Sequence, residues 1–265
     1  MRLIIASTED PAAENISARL LEFYDFEKSS DAPDSYICGQ TMLLKMTGDV
    51  TRITSLPVDA DEVVVASRHT SRSGKPSLTV HVPGEPERLE MAIASPSTVK
   101  SALHALIKAR DEIGLSHGVS LEATHHGPTK LDVPVTFVEI GCTLNEWKDK
   151  KAGEAVARAI METMPPHERW TNAVGLGGPH YAPLHTRIAL STDIAVGHIL
   201  PKYSHFNEKL IHQAILRTAG DVALLLLDWK GMNRYQREIC LKVAEELGMK
   251  TVRGGKILNE SAKTS

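Results

Sequence analysis

Aromatic side chains make up only 5% of this 265-residue chain, which argues against an extensive base-stacking surface for single-stranded nucleic acid. Positive charge is not in excess either. A formal net charge of −3 argues against a protein that coats nucleic acid through charge alone, while leaving room for a local basic patch around one RNA end. Cysteine is scarce. Cys38, Cys142 and Cys240 are odd in number and lack CxxC spacing, so reduced thiols in a cytosolic protein are expected rather than a disulfide framework. No run approaches the roughly 20 apolar residues of a membrane span, and the apolar stretch at residues 3–6 is too short for a signal-peptide core. Together these absences predict a soluble, cytoplasmic protein with neither a membrane nor DNA as partner.

The remaining composition, 42% hydrophobic and 24% charged, is that of an ordinary globular protein. Strands are predicted at residues 2–6, 62–67, 119–124, 133–140, 171–176 and 222–227, with a hairpin over 36–46 around Gly39-Gln40 and further strand candidates at 187–190 and 193–200. Helical signals cover residues 11–23, 97–113, 152–164, 207–218 and 231–247. The Thr143/Glu146 spacing of a capping box marks one more helix start. Strands mixed with helices imply an α/β protein whose sheet is mixed and mostly parallel, with helices on both faces. No internal repeat, low-complexity block or long linker interrupts the chain, so a single domain over 1–265 is expected, with a frayed tail at 261–265.

Histidine carries the strongest chemical signal. Twelve are present, and His69, His125, His126 and His180 each stand at or shortly after the end of an apolar strand. Ligands of open α/β sheets bind beyond the carboxyl ends of strands, so such imidazoles can converge in one crevice. In Glu122-Ala123-Thr124-His125-His126-Gly127-Pro128-Thr129, strand alternation puts Glu122, Thr124 and His126 on one face and His125 on the other. Both histidines serve one site only if the strand stops near Thr124 and the Gly127-Pro128 turn redirects them. Imidazoles beside a carboxylate suit zinc, and a three-ligand site with an open position activates water. The plain alternative is a turn whose histidines bond backbone carbonyls.

Gly177-Gly178-Pro179-His180-Tyr181-Ala182-Pro183 has neither dinucleotide-fingerprint nor P-loop spacing, and its prolines are expected to keep a helix from opening there. It reads as a loop presenting His180 and Tyr181, or as a simple tight turn. Ser67-Arg68-His69, with Arg72 and Lys75 beyond, suits phosphate oxygens or is a solvated basic loop. Lys202 could also meet a phosphate. His81 and His185 are weaker candidates. Glu139 is a possible carboxylate behind a metal ligand or a helix cap. Cys142 at a helix start has to be considered as a nucleophile, but nothing else in the sequence separates it from a small buried residue.

At Glu122 to Thr129, Glu139 to Trp147 and Gly177 to Pro183, the chain resembles the archaeal and plant type of D-aminoacyl-tRNA deacylase. Ser67-Arg68-His69, the segment from Gly197 to Tyr203, and Asp228-Trp229-Lys230-Gly231 agree with it in the same order. The resemblance implies a three-layer α/β/α sandwich similar to peptidyl-tRNA hydrolases and nucleoside phosphorylases. It also implies a zinc-dependent hydrolase that cuts the ester bond of D-aminoacyl-tRNA. Cys142 stands where the family pattern suggests serine, which weakens it as a nucleophile. Residue chemistry then assigns zinc to some of Glu122, His125, His126 and His180, with His125, His126 and His180 catalytic and a zinc-bound water as attacker. Arg68, His69, Thr129, Gly177, Gly178, Tyr181 and Lys202 are expected to contact substrate, with basic groups at the tRNA acceptor end. A peptidyl-tRNA hydrolase, a zinc amidohydrolase and a non-catalytic zinc protein that binds RNA are the alternatives.

Overall fold

A computed structural model describes residues 1–71, 74–163 and 170–258. Arg72, Met164 with Pro165-Pro166, and the expected tail at 261–265 lie outside the described residues. The chain divides into two compact units: Met1–Val80, Ser101–Ser120 and Lys130–Thr163 form the first, and His81–Lys100, Leu121–Thr129 and Met164–Ser265 the second.

The first unit is built on an eight-stranded sheet. Its centre is the strand Arg2–Ser7, paired in parallel with Thr41–Met46 on one side and Glu62–Thr70 on the other; Val135–Cys142 continues the parallel run. The expected hairpin is present: Ser35–Cys38 pairs antiparallel with Thr41–Met46, making the sheet mixed. Val63, Val64, Val65 and Ala66 are buried on both faces, as a continuous apolar run in a parallel strand should be. Helix Pro11–Phe23 starts where Asp10 accepts hydrogen bonds from Ala12 and Ala13. Near the sheet's other edge lie two strands, Ser77–His81 and Gly118–Leu121. The first of these escaped sequence analysis.

The second unit carries a four-stranded, all-parallel sheet in the order Ile194–Leu200, Thr171–Leu176, Leu224–Leu227, Lys250–Arg253, beside the short antiparallel pair Gly84–Glu85 and Glu90–Met91. Helices Glu208–Leu216 and Arg234–Glu246 contribute Leu210, Ile211, Ala214, Ile239, Val243 and Ala244 to a core shared with Val174, Leu176, Leu225 and Leu227. Each fully buried Leu there stabilises the unit by about 1.5–3 kcal/mol. No helix among the described residues is long and apolar enough to cross a membrane. The α/β class and the mostly parallel sheets with their helical layers agree with the three-layer α/β/α expectation.

Three expectations fail locally. Residues 187–190 lie in helix Pro183–Ser191 rather than a strand, and that helix opens on the proline expected to forbid it. Proline at the first turn loses only an N–H that has no intrahelical acceptor, so Pro183 starts the helix instead of breaking it. The strand predicted at 62–67 runs on to Thr70, which places His69 within the ladder, beside Gly141.

Candidate active site

The segment after strand Gly118–Leu121 is held by hydrogen bonds to three other stretches of the second unit. The Ala123 N–H donates to the His180 carbonyl (2.7 Å), the Thr124 N–H to Ile199 (2.9 Å), and the Gly84 N–H to His126 (2.6 Å). The ladder stops at Leu121, and His126 takes φ +43°, a left-handed turn that ends the alternation of faces. Redirected this way, both adjacent histidines reach one place. His81, the last residue of strand Ser77–His81, stacks on His125 with ring centroids 4.2 Å apart. His126 meets His81 edge-on at 4.9 Å and His125 at 4.4 Å, while His180 lies 4.7 Å from His125.

Glu122 sits beneath these rings with its side chain wholly buried. Its Oε2 is 3.2 Å from His180 Nε2, 3.7 Å from His125 Nε2 and 3.9 Å from His81 Nδ1. A carboxylate taken out of water is tolerated only where positive charge or hydrogen-bond donors compensate it. The donor pattern shows how the rings are set. His125 Nδ1 donates to the Ala123 carbonyl (2.7 Å) and His126 Nδ1 to that of Gly127 (2.6 Å), which leaves each Nε2 with an available lone pair. Burial, then the neighbouring His126, pushes the His125 pKa down to about 4, so it is neutral near pH 7. Neutral rings with one nitrogen fixed on a carbonyl are the form that binds zinc. One ligand atom from each of His81, His125 and His126 lies within 4.8 Å of the others, so this donor set fits a metal ion.

His180 faces a different partner on its other side: Nδ1 is 3.0 Å from the Tyr203 hydroxyl. His180 thus stands between the Tyr203 hydroxyl, on its Nδ1, and the Glu122 carboxylate, which faces its Nε2. Beside the rings opens a pocket of about 300 Å³ lined by Thr124, His125, His126, Tyr203, Glu85 and Arg88 among others. That is the lower end of the range for small-molecule sites.

Of the residues expected from sequence, Glu122, His125, His126 and His180 are brought together. Tyr181 lies against them, its ring edge-on to His180 at 5.3 Å. Thr129 donates its hydroxyl to Glu90 Oε2 (3.0 Å), and Lys202 is exposed, its backbone N–H on the Gly178 carbonyl (2.9 Å). Gly177 and Gly178 are buried at φ +90° and +85°, and a Cβ on Gly178 would stand 2.9 Å from Asp228 Oδ2. Arg68 and His69 belong to the first unit, as does Glu139. There the His69 Nδ1 lies 3.7 Å from Glu139 Oε2, to which Thr79 also donates (3.4 Å). Cys142 is buried and its thiol is pushed up by that burial, the opposite of an activated thiolate.

Sequence analysis ranked His81 low and overlooked Tyr203. The alternation Leu78, Val80, Val82 was the available signal for the strand that ends on His81. Nothing local marks Tyr203, which is paired to His180 only by tertiary structure.

A family model described as D-aminoacyl-tRNA deacylase matches residues 56–252. The D-aminoacyl-tRNA deacylase of Thermococcus kodakarensis is 36% identical over 274 residues, covering 96% of this chain and 100% of the relative. That of Aeropyrum pernix is 36% identical, covering 94% of this chain and 99% of the relative. Among solved structures, the crystal structure of a conserved protein of unknown function superposes with a TM-score of 0.89 at 31% identity, covering 97% of this chain and 96% of the other. With a match over most of its length and relatives this similar end to end, the chain belongs to the D-aminoacyl-tRNA deacylase family.

Proposed function

We propose that this protein hydrolyses the ester bond that joins a D-amino acid to the 3′ end of tRNA, and that the cluster of His81, Glu122, His125, His126 and His180 is where it does so. The observation that carries this reading is a buried carboxylate flanked by three imidazoles, with His126 and a pocket beside them. The names of the relatives supply the substrate. Relatives match from end to end, so the two units are taken to serve one activity as a single functional domain. The acceptor end of tRNA is the partner, and the cytoplasm, where aminoacyl-tRNA is used, is the place of action.

Zinc is the proposed cofactor, held by His81, His125 and His126, with Glu122 and His180 as further candidate ligands. When bound there it would supply Lewis acidity toward the ester carbonyl. The chain's own groups do the rest. Glu122 orients the rings and balances positive charge that develops on them. His180, between the Tyr203 hydroxyl and Glu122, is placed to pass a proton to the departing ribose oxygen. Thr124 and Tyr203 line the pocket that receives the aminoacyl group and exclude water from it. Tyr181 and Lys202 lie toward the nucleotide.

Single substitutions His125→Ala and His126→Ala test the assignment with D-Tyr-tRNA as substrate. Each should lower kcat by at least about a hundredfold, the scale of losing a general acid–base or an oriented ligand. Unchanged hydrolysis in both would remove the cluster from the chemistry.

A further inference from the structure

The four parallel strands of the second unit end in register. Leu200, Leu176 and Leu227 are paired neighbours, and Leu227 pairs with Arg253. Everything that leaves this edge is therefore presented side by side: Lys202 and Tyr203 after the first strand, His180 and Tyr181 after the second, Trp229 and Lys230 after the third, Lys256 after the fourth. Two of these exits belong to the catalytic cluster. The third carries a motif, Asp228-Trp229-Lys230-Gly231, that the cluster does not use, and the fourth carries Lys256.

Trp229 is a support for cations. The guanidinium carbon of Arg253 lies over its ring 3.6 Å from the centroid and that of Arg237 at 4.9 Å, while Arg237 Nε also donates to the Trp229 carbonyl (2.9 Å). A guanidinium held over an indole face has lost part of its freedom already and still has N–H donors to offer a phosphate. Lys202, Lys230, Arg253 and Lys256 are exposed and have no ion-pair partner among the described residues. Two acids stand at this edge with partners of their own, Asp228 keeping its charge on a backbone N–H. Asp228 accepts from the Gly231 N–H (3.0 Å), and Glu238 pairs with Arg234 (2.7 Å). An unpaired cationic strip on a chain whose net charge is −3 is a local departure from its composition.

The strip is joined to the cluster through close backbone packing. Gly178, two residues before His180, has its N atom 2.8 Å from where a Cβ of Gly231 would stand, and Gln236 Nε2 donates to the Lys202 carbonyl (2.6 Å). Strands spaced about 4.8 Å apart put the Arg253 exit roughly 10 Å from the His180 exit.

We propose that Trp229, with Arg237 and Arg253 laid over it and Lys230 beside it, is a phosphate-binding platform that holds the RNA backbone leading into the cluster. The proposal rests on the tRNA-ester reading above. It assigns Arg253 and Arg237 as phosphate donors, Trp229 as the residue that positions them, and Lys230 as a point charge. It reads backbone and not sequence.

Binding of uncharged tRNA to the metal-loaded protein, followed by fluorescence anisotropy over a range of NaCl concentrations, tests the platform without any hydrolysis. Each lost phosphate contact should reduce the slope of log K against log[salt] by about 1. Arg253→Glu, at an exposed position that leaves the core intact, should lower the slope by about 1 and weaken binding about tenfold or more. Arg253→Lys should fall between it and the native protein. Lys209→Glu, the same charge change on an exposed helix of the same unit, should leave the slope as it was.

Kinetics supply the second arm. Arg253→Glu should raise KM for D-Tyr-tRNA with little change in kcat, and should not affect hydrolysis of D-tyrosyl-adenosine, which has no phosphates. Equal slopes for Arg253→Glu, Lys209→Glu and the native protein would overturn the platform, as would salt-insensitive binding by the native protein. Failure of the native protein to hydrolyse either ester while it still binds tRNA through Arg253 would instead refute the function reading and leave the platform standing.

Discussion

His198 is wholly buried in strand Ile194–Leu200, and burial pushes its pKa from 6.5 down to about 4. Its Nε2–H is shared between the carbonyls of Ala92 (3.1 Å) and Arg217 (3.3 Å). Its Nδ1 accepts from the Thr124 hydroxyl (3.2 Å), whose oxygen in turn accepts from the Ile199 N–H (3.1 Å). The neutral ring fits this arrangement, and burial without a carboxylate among these partners disfavours a second proton. The folded-state pKa lies below the unfolded value, so between pH 6.5 and 4 the unfolded chain carries a proton that the folded protein refuses. Stability is therefore complete above about pH 6.5 and falls as the pH is lowered toward 4. The gap is worth about 3.4 kcal/mol in full, of which about 2 kcal/mol is lost between pH 7.5 and 5.

His198→Gln keeps an amide donor and an acceptor in the same place but does not titrate. Urea unfolding of metal-free native and variant protein, followed by circular dichroism at pH 7.5 and 5.0, isolates the effect from titration elsewhere. The native protein should lose about 2 kcal/mol more than the variant over that interval. Because Thr124 precedes His125, the same acidification should loosen the catalytic turn. An indistinguishable pH dependence in the two proteins would refute the reasoning.

Glu122→Gln removes the charge shared by three imidazoles and should weaken zinc binding by about 10–100-fold, read by calorimetric titration; an unaltered affinity would detach the carboxylate from the metal site. Gly178→Val meets Asp228 Oδ2 at 2.9 Å and needs φ +85° from a β-branched residue. Its loss of activity should follow a fall of more than about 1 kcal/mol in stability, with kcat per folded molecule preserved, as thermal melts beside active-site titration would show. Lys100 is buried with its ammonium on the carbonyls of Ala189, Thr192 and Ile194, around the end of helix Pro183–Ser191. Lys100→Met leaves those acceptors without their charged donor and should destabilise the protein by about 2–4 kcal/mol in urea unfolding, with KM for D-Tyr-tRNA unchanged.

Apolar runs made most of the fold readable. The valines at 63–65 and the leucines at 224–227 read as strands buried on both faces, as parallel strands are. Local chemistry also located the helix start at Thr143 with Glu146. Shorter signals were lost. Lys250–Arg253 alternates too briefly to stand out, and Pro183 looked like a breaker because proline at a first turn and proline after a last turn share one symbol. At the site, the residues of one strand-end segment, Glu122, His125 and His126, announced themselves by clustering. His81 and Tyr203 did not, since they approach through sheet register and a loop from a distant part of the chain. Nor did the order of strand ends, which places Trp229 on the same edge as His180, exist in any local pattern.

The most direct test of the account is hydrolysis of D-Tyr-tRNA and L-Tyr-tRNA by the native protein, each with and without a metal chelator. The account predicts rapid loss of the D-ester alone, abolished by the chelator and restored by zinc. Equal cleavage of both esters, or of neither by folded, zinc-loaded protein, would contradict it.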